Sequence, residues 1–249
     1  MRQLLAALVW AWLLPVAQAR TLVFESPPRQ VAVLELFTSH GCSSCPPADA
    51  WLSHWRDSPL LWKQLIPLAF HVDYWDDLGW PDRFASPVFS RRQRAYHQAG
   101  LSGSVYTPGF MLRGLEWRGW FRGQTPDLEG ARRVGRLTLR VTPGQRVQAG
   151  FAAAGEGSPG ILTAHLALLG FGLVSEIGGG ENTGHSLRED FVVLGLSSAD
   201  PDGSGRHWTL AWPTTRGMQP PRQALVVWLS RVGSPVPYQA AGGWVAGVD

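Results

Sequence analysis

The chain contains two cysteines, Cys42 and Cys45, within the stretch SHGCSSCPPAD. Two residues separate them, which is close enough for the sulfurs to meet and close a compact disulfide. The spacing alone leaves three interpretations open: a redox couple, a structural clip or half of a metal site. The elements around the pair, and the compartment in which it works, must decide between them.

The residues after the cysteines predict the beginning of a helix. Pro46 and Pro47 follow Cys45 directly, and proline suits the first turn of a helix better than its middle. The helix dipole and the free N–H groups of the first turn stabilise an anion such as a thiolate. We therefore expect a lowered pKa for Cys42, which would attack or form the mixed disulfide, while Cys45 would resolve it.

Strand and helix signals alternate around this motif. Nearly continuous apolar runs predict buried strands, and a serine or threonine followed by proline predicts a helix start. The expected elements are a strand at Val31–Phe37, a helix after Cys45, a strand at Leu65–Val72, a helix from Ser86 to before Gly100, a strand at Gly109–Leu112 turning into Leu115–Arg118, and a helix from Thr125 to near Gly135.

Beyond residue 135 the pattern changes to short strands separated by segments rich in glycine, proline and serine. Leu137, Leu139 and Val141 alternate with polar residues, as in a half-buried strand. Several such strands without a helical period predict a β-sandwich or a small barrel. The expected organisation is a signal peptide at 1–19, an α/β domain at 20–135 and an all-β, sandwich-like domain at 136–249.

The amino terminus predicts export. Arg2 precedes an apolar run from Leu4 to Leu14, and Ala17 and Ala19 form a small-residue cleavage site, as in a secretory signal peptide. The run is shorter than the ~20 apolar residues of a spanning helix. We expect a periplasmic or secreted protein without a membrane anchor after cleavage, in a compartment that favours disulfides.

The charge of the chain argues against nucleic acid as a partner. The formal net charge is +3 at pH 7, and the basic residues are dispersed. A surface close to neutral does not favour binding to a polyanion. If the cysteine pair is a redox couple, the expected substrate is a protein, or a small thiol or disulfide. The sequence does not indicate the oligomeric state.

Three longer segments carry a resemblance to known proteins. ELFTSHGCSSCPPAD, FHVDYWDDLGWPD and VYTPGFMLRG, together with GENTGHSLREDFVVLGL further on, resemble a family of exported thioredoxin-like proteins described only as a domain of unknown function. The resemblance runs from about Val31 to the carboxyl terminus. It implies a thioredoxin-like domain with the element order β-α-β-α-β-β-α, ahead of the sandwich-like domain.

The resemblance also implies roles for residues outside the cysteine motif. In thioredoxin-like proteins a cis-proline faces the disulfide, and Thr107-Pro108 occupies that place here. Glu35 matches the buried acid that accepts a proton from the resolving thiol, with an edge glutamate as the alternative. His71 ends the second strand and so lies at the cysteine end of the sheet; a hydrogen-bonded structural histidine is the plainer interpretation.

The sequence thus favours a thiol–disulfide oxidoreductase with Cys42, Cys45 and Pro108 at its centre and Glu35, Thr107 and His71 in support. No cofactor and no resident metal are expected. Two alternatives stay open: a Cu(I)-handling protein that uses the two thiolates and His40 or His71, and a non-enzymatic binding module with a structural disulfide. The direction of electron flow is not encoded in the motif.

The signal-peptide interpretation makes a direct prediction. Export should remove residues 1–19, because the small residues before Arg20 suit a signal peptidase, and the mature chain should begin at Arg20. Amino-terminal sequencing of the exported protein checks this. Recovery of chains that still begin with Met1 would contradict it.

Overall fold

The computed structural model describes residues 21–142, 146–155, 159–215 and 217–245; the predicted signal peptide lies outside these ranges. The described residues form fourteen β-strands and two α-helices. The strands are β1 (Leu22–Glu25), β2 (Ala32–Thr38), β3 (Leu65–His71), β4 (Gly109–Leu112), β5 (Leu115–Glu116), β6 (Gly135–Val141), β7 (Val147–Ala153), β8 (Leu162–Phe171), β9 (Leu173–Glu176), β10 (Ser186–Glu189), β11 (Val192–Ala199), β12 (His207–Leu210), β13 (Arg222–Arg231) and β14 (Pro237–Val245). The helices are α1 (Pro46–Ser53) and α2 (Pro87–Gln98).

Eight of the strands form one mixed sheet in the order β14-β13-β8-β11-β3-β2-β4-β5. The pairs β2–β3 and β3–β11 are parallel, and the other pairs of this sheet are antiparallel. A second, antiparallel sheet has the order β1-β6-β7-β12, and β9 and β10 form a separate hairpin.

The long strands of the large sheet are apolar because both of their faces are buried. In β13, Leu225 and Val227 pack in a cluster with the four-stranded sheet, whereas Val226 and Trp228 pack in the cluster that includes residues of α1 and α2. Successive side chains of a strand point to opposite faces, so one strand contributes to two cores. The carboxyl-terminal half is thus a β-sandwich whose larger sheet also supports the helices.

The predicted fold class is wrong. Of the described residues, 41% lie in strands and 14% in helices, with large mixed sheets, rather than in a helix-rich β-α-β-α thioredoxin-like domain followed by an all-β domain. The physical reason lies in β8, β11 and β13. These strands are apolar on both faces and extend the sheet of β2 and β3, so strands occupy positions where the prediction expected the edge of an independent α/β domain.

The third expected helix is also absent, since residues 124–134 contain no helical turn. Gly130 has a φ of 67°, which interrupts a right-handed helix. The backbone of this segment bonds instead to the amino-terminal segment: Gln30 N–H donates to Arg132 O at 2.8 Å and Val134 N–H to Pro28 O at 3.0 Å. A long-range partner here outweighs the local cap signal of Thr125-Pro126.

The expected boundary near residue 135 coincides with the beginning of β6. The eight-stranded sheet nevertheless takes strands from both sides of it. Within the described ranges, no helix combines the length and apolar character needed to cross a membrane.

A buried ion pair in the amino-terminal half is bonded to the carboxyl-terminal half through Pro235. Arg92 of α2 donates to both carboxylate oxygens of Glu35 on β2, through Nε at 2.6 Å and Nη2 at 2.8 Å. The same Nη2 donates to Pro235 O at 3.1 Å, in the connection between β13 and β14. Tyr96 donates its hydroxyl proton to Glu35 Oε1 at 2.5 Å and lies 2.9 Å from Pro235 O. Glu35 is fully buried, and these donors compensate its charge.

Replacing Arg92 with methionine should destabilise the protein, because it leaves the Glu35 charge buried without its partner. Loss of one member of a buried pair costs about 3–5 kcal/mol, which chemical denaturation measures. The exposed neighbour in the same helix, as Arg91→Met, is the matched control and should change stability little. Equal effects of the two substitutions would show that the pair does not hold the halves together.

Candidate functional site

The cysteines lie at the carboxyl-terminal edge of two parallel strands. Thr38 and His71, the last residues of β2 and β3, face each other in register. Residues 39–45, here called the cysteine loop, leave β2 and lead directly into α1. Because β2 and β3 are buried along their whole length, the loop begins from a rigid base. His71 therefore lies at the same sheet edge as the cysteines, as the sequence predicts.

Cys42 and Cys45 form a disulfide with their Cα atoms 5.5 Å apart, which confirms the predicted bond. The backbone N–H of Cys45 also donates to Cys42 O at 3.2 Å. Cys42 is 1% exposed and Cys45 is 0% exposed. Both cysteines are therefore closed to solvent in this oxidised form.

The start of α1 offers fewer N–H donors than the sequence interpretation assumed. Pro46 and Pro47 occupy its first two positions and carry no N–H. The N–H groups of Ala48 and Asp49 already donate to Cys45 O, at 2.8 and 3.1 Å. The Ser44 hydroxyl lies within hydrogen-bond distance of a sulfur, with its Oγ 3.4 Å from Cys42 Sγ.

The turn between β9 and β10 covers the cysteine loop. Asn182 is buried and donates through Nδ2 to His40 O at 2.7 Å and to Cys42 O at 3.0 Å. The adjacent Glu181 accepts the N–H of Ser43 at 2.9 Å. The glycine-rich segment GGGENTG is therefore a hairpin connection, and two of its side chains hold the backbone around the disulfide.

A tryptophan covers the loop from another direction. A Cβ placed on Gly41 would lie 2.9 Å from the Cβ of Trp75, so only glycine allows this approach. The indole Nε1 of Trp75 donates to Thr107 Oγ1 at 2.9 Å. Thr107 thus reaches the cysteine loop through Trp75. The Thr107-Pro108 bond is cis, as the resemblance implied, and the role of Pro108 toward a substrate stays a prediction.

A cluster of buried ionisable side chains lies beside the cysteine loop: His40, His71, Asp82 and Glu189, here called the histidine–carboxylate cluster. Asp82 is its centre. It accepts the backbone N–H of His40 and of Phe84, each at 2.9 Å, and His71 Nδ1 at 2.7 Å. His40 Nδ1 lies 3.1 Å from the other Asp82 oxygen, without the angle of a hydrogen bond.

Glu189, at the end of β10, closes the cluster from the opposite side. His40 Nε2 lies 3.0 and 2.9 Å from its two carboxylate oxygens. His71 Nε2 lies 3.8 Å from the nearer oxygen and has no hydrogen-bond partner among the described residues. Each imidazole therefore has one nitrogen toward Asp82 and the other toward Glu189.

The charges of this region shift one another's pKa values. Burial lowers the pKa of His71, but the charge and hydrogen bond of Asp82, together with the charges of Glu189 and Asp49, outweigh burial and raise it to about 9. Burial raises the pKa of Asp82, and the charge and hydrogen bond of His71 override that effect and hold it below its ordinary range. The site therefore favours a cationic group between its two carboxylates.

Asp49 is the buried acid nearest to the disulfide along the chain, one turn after Cys45. Its Oδ2 accepts the hydroxyl proton of Thr38 at 2.8 Å. Burial, and then the negative charge of Glu189, raise its pKa to about 8. Glu35, which the resemblance matched to the thiol-linked acid, is occupied by Arg92 and Tyr96; its proton-acceptor role stays a prediction.

Sequence reasoning named His40 and His71 and missed their partners. Asp82 and Glu189 stand inside two segments that carried the resemblance, FHVDYWDDLGWPD and GENTGHSLRED, but neither was singled out. Their chain positions are far from each other, and an aspartate after proline or a glutamate at the end of a strand carries no distinctive local pattern. The family resemblance of these two segments was the signal that could have identified Asp82 and Glu189, because separate stretches shared by a family can meet at one site.

The match to a known family covers all the segments that form this site. Residues 33–230 match the family described as "Protein of unknown function (DUF1223)". The chain belongs to this family. The match spans the cysteine loop, both histidines and the β9–β10 hairpin, and it confirms the resemblance to a domain of unknown function without extending to the thioredoxin-like superfamily. Among curated proteins, none shows significant similarity to this family member.

Two solved structures are similar to the chain. A crystal structure of a protein from Agrobacterium tumefaciens is 23% identical, with a TM-score of 0.57 over 88% of this chain and 95% of that chain. HBP35 of Porphyromonas gingivalis is 14% identical, with a TM-score of 0.55 over 86% of this chain and 75% of that chain. At these identities the likeness shows a shared fold.

The cover over the cysteine loop leads to a prediction. Asn182→Ala removes two hydrogen bonds of ~1 kcal/mol each, so the loop should open more often. We expect dithiothreitol to reduce the disulfide roughly 30-fold faster, in line with the lowered cost of opening, as measured by alkylation and mass spectrometry.

The control is Glu176→Gln on β9, whose side chain bonds to Ser186 within the hairpin. This variant should be reduced at the rate of the natural chain. An unchanged rate for Asn182→Ala would mean that Asn182 does not limit access to the sulfurs.

Proposed function

We propose that this protein is an exported thiol–disulfide oxidoreductase whose redox pair is Cys42 and Cys45. The observation that carries the proposal is the disulfide within the short loop between a fully buried strand and a helix. A pair on rigid elements changes oxidation state without rebuilding the fold around it. Export, expected from the amino terminus, places the pair where disulfides form and persist.

The proposed reaction is a two-electron exchange. A substrate thiolate attacks Cys42 Sγ, a new S–S bond forms, and the Cys42–Cys45 bond breaks with its electron pair on Cys45. A second substrate thiolate then attacks the mixed disulfide and releases Cys42. The substrate's two thiols lose two electrons and two protons and become a disulfide, while the cysteine pair gains both and becomes a dithiol. The same steps in reverse reduce a substrate disulfide.

The surroundings of Cys42 suit the charge changes of this exchange. The hydroxyl of Ser44 lies within reach of its sulfur and can donate a hydrogen bond to a thiolate there. The dipole of α1 adds a favourable field at the loop. Because Pro46 and Pro47 lack N–H groups, this hydroxyl replaces part of the stabilisation that a helix start ordinarily gives.

Access to the sulfurs requires movement of the covering hairpin turn. Glu181 and Asn182 bond to the cysteine loop from outside it, and both cysteines are buried. An attacking thiol therefore reaches Cys42 after these bonds open. Such a gate favours a substrate that supplies binding energy of its own, such as a protein segment, over a small thiol.

A second candidate function is a binding module in which the disulfide is a structural clip. The burial of both cysteines favours it, since an inert disulfide needs no solvent access. The Cu(I) alternative needs two thiolates, and the oxidised pair supplies none. A reduced form would have to bind that metal.

The reduction potential of the disulfide separates the two leading candidates. Equilibration with glutathione buffers should give a value between about −120 and −270 mV, the range of catalytic pairs. A value below about −300 mV, as structural disulfides have, would overturn the proposal and identify a clip. Repeating the titration with one equivalent of Cu(I) tests whether the dithiol binds it.

Single-cysteine variants test the order of the steps. When the Cys45→Ser variant reacts with a peptide that contains a disulfide, Cys42 should stay bonded to one cysteine of that peptide, because the resolving thiol is gone. Cys42→Ser, the matched variant, should not, since Cys45 would be the less accessible sulfur. Mass spectrometry of the adducts reads both results. A stronger adduct on Cys45 would reverse the assigned roles.

A further inference from the structure

We propose that His40, His71 and Glu189 form a binding site for one Zn²⁺ ion, with Asp82 as the outer residue that orients the imidazole of His71. The site goes beyond the thiol–disulfide exchange, since neither cysteine belongs to it. It also departs from the expectation, drawn from the sequence alone, of no resident metal. The ligand set of two histidines and one carboxylate is one that binds zinc in proteins.

The distances between the ligand atoms fit a tetrahedral ion. The three donor atoms lie within 4.8 Å of one another. The Nε2 atoms of His40 and His71 lie 2.9 and 3.8 Å from the nearer oxygens of Glu189. Ligands at ~2.0–2.2 Å from zinc are roughly 3.3–3.6 Å apart in a tetrahedron, so the observed pair distances fall on either side of that range. The separation of the two imidazole nitrogens is bounded only by the 4.8 Å limit, so binding of the ion would draw the three ligands together.

The outer contacts match those of metal-binding histidines. His71 Nδ1 is hydrogen-bonded to Asp82 Oδ2 at 2.7 Å, which leaves Nε2 for a metal. Metal-bound histidines ordinarily donate their second ring nitrogen to a carboxylate in this way. Asp82 is itself held by the backbone N–H groups of His40 and Phe84, so the orienting residue is fixed.

The unpartnered nitrogen of His71 is an independent observation. His71 Nε2 is buried, points toward Glu189 and makes no hydrogen bond among the described residues. A buried polar atom without a partner costs free energy, and a cation bound at Nε2 would remove that cost. Two carboxylates and two neutral imidazoles also balance a divalent charge.

The wall around the site suits a bound ion. Phe84 packs edge-on against both rings, with its centroid 5.4 Å from that of His40 and 5.2 Å from that of His71. All three ligand residues are buried. An apolar, closed surrounding strengthens the attraction between the ion and its ligands, and it restricts exchange with solvent.

The test is zinc retention by the purified full chain. The protein is stripped with a chelator, given an excess of Zn²⁺ and passed through gel filtration before elemental analysis. The natural chain should retain about one zinc, and His71→Gln and Glu189→Gln should bind at least about tenfold more weakly, as expected for loss of a ligand. His97→Gln, on the exposed end of α2, is the matched histidine control and should retain the ion.

The double variant Cys42→Ser/Cys45→Ser separates this site from the redox pair. It should lose disulfide exchange and retain zinc. Loss of zinc in this variant, with retention in His71→Gln, would overturn the proposal and assign the metal to the cysteines. Absence of bound zinc in the natural chain would overturn it as well.

Cobalt provides a readout that does not depend on the folding of any variant. Co²⁺ bound to the natural chain should give visible d–d bands of a nitrogen and oxygen site, without a sulfur-to-cobalt charge-transfer band, under both oxidising and reducing conditions. Appearance of that band would place a thiolate on the metal and contradict the proposed ligand set.

Discussion

The arrangement of the site depends on one buried carboxylate. Asp82 accepts the backbone N–H of His40, which fixes the cysteine loop, and the Nδ1 of His71, which fixes the end of β3. A carboxylate buried in this way is tolerable only when donors surround it. Asp82 therefore fixes three segments relative to one another: the cysteine loop, the end of β3 and its own segment before α2.

The same requirement recurs where the two halves of the chain meet. Glu189 completes the cluster from β10, Asn182 reaches the backbone of Cys42, and Arg92 joins Glu35 to the loop before β14. Each contact satisfies a polar group that would otherwise be buried alone. The carboxyl-terminal strands thus do more than complete a sandwich: they supply the residues that close the site around the disulfide.

Two kinds of chemistry lie next to each other at this sheet edge. The disulfide is the redox pair of the proposed function, and the histidine–carboxylate cluster concentrates negative charge around paired imidazoles. The backbone of His40 connects them, because its carbonyl and that of Cys42 share the amide of Asn182. Movement of the hairpin turn would therefore loosen both regions at once, which gives the cover a physical means of linking access to the sulfurs with the state of the cluster.

The sequence by itself determined the local features. The CxxC spacing predicted the disulfide, continuous apolar runs predicted β2 and β3, and Ser86-Pro87 predicted the beginning of α2, because each depends on residues within a few positions of one another. The third helix and the fold class were predicted from the same kind of local signal, and these predictions were wrong.

Only the tertiary structure decided how the halves combine. Asn182 lies 140 positions from Cys42, and Glu189 lies 149 from His40, and no periodicity records such a pairing. The apolar character of β13 indicates that both of its faces are buried, but it does not indicate which elements cover them. Contacts of this range form because packing and the compensation of buried charge must be satisfied across the whole chain, and a local pattern carries no information about its distant partner.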